Sequence, residues 1–97
     1  MSLHGNPIVE DAHLPDGRNA RIRVGIAEDP YIADRDSTTV VLEIRIGHSV
    51  AAVIDTILEP DQTTEANHLV TRVREGLSSG ELEPNVHSLE RLADSIL

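Results

Sequence analysis

Gly47-His48-Ser49-Val50-Ala51-Ala52-Val53-Ile54-Asp55-Thr56-Ile57-Leu58-Glu59 is the stretch on which the architecture of this 97-residue chain turns. Read at a helical period, Val50, Val53, Ile54, Ile57 and Leu58 fall at i, i+3, i+4, i+7 and i+8, a full apolar stripe. The same residues also read as a strand. With Gly47, His48 and Ser49 as a three-residue hairpin loop, Ile46 faces Val50, Ile44 faces Ala52, Leu42 faces Ile54 and Val40 faces Thr56. Arg45, Glu43 and Val41 then stand opposite Ala51, Val53 and Asp55 on the other face. That register puts apolar against apolar on one side. The β-branched content and the need for at least three strands in a stable sheet favour the strand.

Upstream, Thr38 to Ile46 has the period-2 alternation of a half-buried strand, with Val40, Leu42, Ile44 and Ile46 inward and Glu43 and Arg45 outward. Arg18 to Ile26 repeats it, with Ala20, Ile22, Val24 and Ile26 against Arg21, Arg23 and Gly25. Leu14-Pro15-Asp16-Gly17 is a turn sequence: Pro15 presets φ, and Gly17 accepts a positive φ later in the turn. It joins a weaker extended segment, Pro7 to His13, into a hairpin. The span from Ala27 to Ser37, acidic and broken by Pro30, reads as a loop.

Downstream of Pro60, Asp61 is the expected N-cap of a helix whose face is Ala66, Leu69, Val70, Val73 and Leu77, with Gly80 as its stop. Pro84 fits the first turn of a second helix carrying Val86, Leu89, Leu92, Ala93 and Ile96. The predicted fold is α+β in two layers: a mainly antiparallel meander of three to four strands, then two C-terminal helices packed on one face. No repeat or linker divides the chain, so residues 1–97 read as a single domain.

Composition narrows the function classes. There is no Phe, Trp or Cys, and Tyr31 is the one aromatic residue. The core must therefore be branched aliphatic, at roughly 1.5–3 kcal/mol per fully buried side chain. Such a core is thin, and a second copy of the chain would extend it, so a homodimer is one expectation. The formal charge is -9, from 17 acidic and 8 basic residues, all of the latter arginine. Polyphosphate and anionic lipid surfaces are repelled at long range by such a chain, so neither nucleic acid nor a membrane is an expected partner. No run approaches the roughly 20 apolar residues of a membrane span, and Met1 to Asn6 lacks the pattern of a signal peptide. The cytoplasm is the default expectation.

Gly47-His48-Ser49-Val50-Ala51 resembles the nucleophile elbow of the α/β-hydrolases, G-x-S-x-G, with Ala51 in place of the final Gly. The resemblance implies a serine nucleophile at Ser49 on a strand-turn-helix corner, with Asp55, Asp61, His68 and His87 downstream as acids and bases. It covers five residues, no glycine-rich loop supplies a second oxyanion donor, and a parallel sheet needs crossovers of a dozen or more residues each. A hairpin glycine at Gly47 is the simpler reading. His4, His13, His48, His68 and His87 show no i, i+4 pair and no zinc motif, so no metal or cofactor is expected. Glu28, Asp29, Asp34 and Asp36 lack the glycine and the spacing of a calcium loop.

Arg21, Arg23 and Arg45 carry the one positive signal. They fall on the polar faces of two strands and, with Arg18 nearby, would make a basic stripe on the open face of the sheet. Guanidinium forks take carboxylates and phosphates bidentately. The plain account is pairing with Glu43 and solvation. No aromatic side chain interleaves the arginines, so a stacking platform for single strands is missing. The helical half, 59–97, has the opposite charge bias, which would favour self-association or a charged partner, with solvated helix faces as the plain account. The functional expectation is a non-enzymatic protein-interaction or regulatory module. Its alternatives are a binding domain for an anionic small ligand on Arg21, Arg23 and Arg45, and a small serine hydrolase centred on Ser49.

Overall fold

The computed structural model describes residues 3, 6–26 and 39–96. Four strands run in sequence order through one sheet: β1 (Ile8–His13), β2 (Asn19–Ile26), β3 (Val40–Ile46) and β4 (Ser49–Asp55). All three pairings are antiparallel. Two helices follow, α1 (Thr63–Ser79) and α2 (Val86–Ile96). α1 packs over β1 and β2, and α2 packs over β4 and against α1. This is the expected α+β meander with both helices on one face. Residues 27–38, which include the expected loop from Ala27 to Ser37, and His4 lie outside the described residues, and with them the acidic residues Glu28, Asp29, Asp34 and Asp36.

Alternation decides the layers. Ala20, Ile22 and Val24 on β2, Val40, Leu42 and Ile44 on β3, and Ala52 and Ile54 on β4 are buried under the helices. They form one cluster with Ala66, Leu69, Val70, Val73 and Leu77 of α1 and with Leu89 and Ala93 of α2. No polar or charged side chain is buried among the described residues. The cohesion is therefore aliphatic packing.

The first hairpin closes as its residues dictate. Gly17 adopts φ +92°, its N–H donates to the Leu14 carbonyl at 3.0 Å, and the Leu14 N–H donates to Arg18 at 2.8 Å. Asp16 Oδ1 accepts the Arg18 amide at 3.0 Å and Oδ2 accepts Arg18 Nε at 2.6 Å. The amide bond to Arg18 is the main reason the Asp16 carboxyl sits below its ordinary value of 3.8. A depressed carboxyl stabilises the fold fully above its ordinary value and loses that contribution as pH falls through the lowered one. The thermal midpoints of the parent and Asp16→Ala should therefore differ at about pH 7, and the gap should narrow as pH falls below the ordinary value of the carboxyl. A gap that stays undiminished in acid would show that the charge plays no part.

Three local expectations need correction. The β3–β4 loop has two residues, not three: Ile46 pairs with Ser49 and Arg45 with Val50. Gly47 at φ +63° and no positive φ at His48 fit a II′ turn, whose twist suits a two-residue hairpin. A bulge between Ile44 and Arg45 then absorbs Ala51, so Ile44↔Ala52, Leu42↔Ile54 and Glu43↔Val53 fall into the expected register. Asp61 does not cap α1. Gln62 is the N-cap, without a side-chain cap bond, and its Oε1 accepts the Glu59 amide at 2.8 Å instead. α2 begins at Val86 rather than at Pro84; Asn85 Oδ1 accepts the Ser88 amide at 2.8 Å and caps it.

Candidate functional site

The face of the sheet away from the helices is covered at one end and open at the other. At the end where β2 finishes, Gly25 lies opposite Val41, and both are buried. A Cβ on Gly25 would come within 2.8 Å of Pro7 Cβ, so the glycine is what lets Pro7 cross there. At the hairpin end the face is open. There Asp11, Asn19, Ala20, Arg21, Arg45, Gly47 and His48 line a shallow hollow of about 420 Å³.

Register brings two of the three candidate arginines together. Arg21 on β2 stands directly opposite Arg45 on β3, with side chains 66% and 53% exposed. Like charges in this position repel. Each arginine has an acidic neighbour: Arg21 Nε donates to Asp11 Oδ1 at 3.3 Å, and Arg45 Nε donates to Glu43 Oε1. Arg23 is set apart. It stands opposite Glu43, is half-buried, and its Nη2 donates to the Ile26 carbonyl at 3.2 Å, towards the covered end. Arg18 is bound to Asp16 in the turn and does not line the hollow.

Asn19, His48 and Asp11 are the members of the hollow that the sequence did not announce. Asn19 and His48 come from the two hairpin ends, which point to the same end because β1 and β3 run the same way, and Asp11 comes from β1, opposite Arg21. Apolar side chains flank the charged rows: Val9 and Val50 are exposed, and Val53 is half-buried. Chemically the arrangement offers two guanidinium forks, each with its Nε on a carboxylate, an amide and an imidazole around one open concavity that Asp11 also lines. That set suits an oxyanion held by several donors.

Ser49 is the first residue of β4, exposed, and paired with Ile46. The elbow's strand-turn-helix context is replaced by strand-turn-strand. His13 and His48 sit at the hairpin tips, His68 on α1 and His87 on α2. Among the described residues no group of three or more His, Asp or Glu is placed to hold a metal ion. No helix among them is long and apolar enough to cross a membrane. The chain matches no protein-family model, no curated protein and no solved structure.

Proposed function

We propose that this chain is a non-enzymatic interaction module that docks a carboxylate-bearing segment of a protein partner on the open end of its sheet face. The observation that carries this reading is the Arg21–Arg45 register. Two guanidiniums facing each other across a ladder repel at the scale of about 0.2–1 kcal/mol for cross-strand charge pairs, and Asp11 and Glu43 offset part of that repulsion. A carboxylate between them turns that repulsion into affinity through bidentate hydrogen bonds. Exposed Val9 and Val50 add apolar contact on either side, and arginine with apolar surroundings is a common interface anchor. The formal charge of -9 disfavours an extended polyanion. A short acidic segment fits better, since only its local carboxylates need reach the forks. An anionic small ligand would use the same two side chains.

Titration of the protein with a short Asp/Glu peptide, followed by NMR at the Arg21 and Arg45 Nε–H groups, tests this directly. The expected result is a saturable shift that the Asn/Gln version of the peptide fails to produce. Replacing both residues, Arg21→Thr with Arg45→Thr, should weaken binding at least tenfold while stability stays within about 0.5 kcal/mol of the parent. Equal responses to the acidic and amide peptides, or none to either, would remove the basis for the reading. A free tricarboxylate that binds where the peptide does not would favour the small-ligand version.

A further inference from the structure

The two edges of the sheet are guarded very differently. β1 follows Pro7, carries Glu10 and Asp11, and has α1 docked along it, with Arg74 reaching Glu10 at 3.8 Å. Proline and charge are the usual protection of an exposed strand. β4 has almost none. From Ile46 to Ile54 the chain has no Asp, Glu, Lys or Arg, and Asp55 is the single charge on the strand. Two of the four exposed large apolar side chains among the described residues, Val50 and Ile57, lie on or just beyond it.

The ladder phase shows what this edge offers. Thr56 N–H donates to the Val40 carbonyl at 2.9 Å. By the two-residue repeat of an antiparallel pair, Ile54 and Ala52 exchange hydrogen bonds with Leu42 and Ile44. The N–H and C=O of Val53 therefore point off the sheet. Among the described residues no strand pairs with them.

We propose that β4 is a homodimer edge: two copies pair β4 to β4 in antiparallel fashion about a two-fold axis at Val53, making one eight-stranded sheet. The register is self-complementary. Val53 of each copy donates to and accepts from Val53 of the other, and apolar Ala52 faces Ile54 on the helix side. Ile57 comes alongside Ser49 and Val50 of the second copy.

A five-residue ladder alone covers far less than the roughly 800 Å² per partner of a stable interface. The helix layer enlarges it: α2 is the helix over β4, and Ile57, Leu58 and Ile96 line one hollow at the foot of the strand. The bulge at Val50 and Ala51 ends the pairing towards the turn. Closure about a two-fold axis leaves only the two guarded β1 edges outside, so assembly stops at two copies.

Light scattering on the eluting protein, repeated over a range of concentrations, should give twice the 10.6 kDa protomer mass. Val53→Lys should give the protomer mass with an unchanged circular dichroism spectrum. Within one copy the new ammonium faces Glu43, whereas at the axis it meets its own image. Val53→Thr should remain dimeric. Hydrogen exchange supplies a readout independent of any variant: the Val53 amide should be protected in the dimer and lose protection on dilution. Protomer mass in the parent up to about 1 mM would overturn the proposal. So would a dimeric Val53→Lys, or a dimer in which that amide exchanges as freely as a loop. If Val53→Lys fails to fold, the exchange of the parent decides.

Discussion

Leu42→Ala should lower the unfolding free energy by about 4 kcal/mol, in the upper half of the 2–5 kcal/mol range for truncating a buried leucine. Leu42 is fully buried on β3, one of the two inner strands, between Val24 on β2 and Ile54 on β4. The cost of such a truncation depends on how far the surroundings can collapse into the cavity. Collapse is poor here. The neighbours along the sheet are β-branched and hold few χ1 rotamers. No phenylalanine or tryptophan is present to swing inward, and the one methionine is Met1. Domains of this size have about 5–15 kcal/mol of total stability, so a large share is lost. The melting temperature should fall by roughly 15 °C or more. Urea titration would show a lower midpoint at an unchanged slope. A loss below about 2 kcal/mol would mean that the aliphatic core re-packs more readily than its stiffness implies.

The same stiffness explains why the architecture was legible in the sequence. Val40, Leu42, Ile44 and Ile46 alternate cleanly because the helices cover one side of the sheet. The ambiguous stretch after Gly47 settles as a strand because Ala52 and Ile54 find Ile44 and Leu42 across the ladder. Finer features rest on choices that pattern does not encode. A two-residue turn with a bulge and a three-residue loop deliver Ala52 opposite Ile44 equally well, so the alternation could not separate them. Asp61 is a good cap by composition, but the chain enters α1 one residue later, at Gln62. The arginine stripe was half legible. Parity put Arg21, Arg23 and Arg45 on the outer face. Which arginine met which residue depended on the β2–β3 register, and these strands are joined by a long connection that imposes none. Only the structure pairs Arg21 with Arg45 and Arg23 with Glu43.

Gly76 left no such trace in the sequence, yet Gly76→Val should cost about 3 kcal/mol, at the severe end of overpacking substitutions. A glycine inside a helix is normally a weakness, worth about 1 kcal/mol against alanine. Its replacement on an exposed helix face would therefore stabilise. Here a Cβ would meet Leu82 Cβ at 2.7 Å. That atom is fixed to the backbone of the link between α1 and α2, and the Leu82 N–H donates to the Gly76 carbonyl at 3.0 Å. The link cannot give way without losing this bond and shifting Leu82, which packs against the core. Alanine sets the propensity gain of about 1 kcal/mol against the clash, and should come out modestly destabilising. Valine adds two methyl groups to the clash and forfeits most of the gain. The identity of the clashing atom makes the prediction specific. Leu82→Ala keeps its Cβ and should not rescue Gly76→Ala, whereas Leu82→Gly should, so a double-mutant cycle would show favourable coupling only with glycine. Amide exchange should accelerate first in α2, whose docking depends on the link, while β2 and β3 keep their protection. Equal rescue by Leu82→Ala and Leu82→Gly would place the strain in the side chain instead of the backbone.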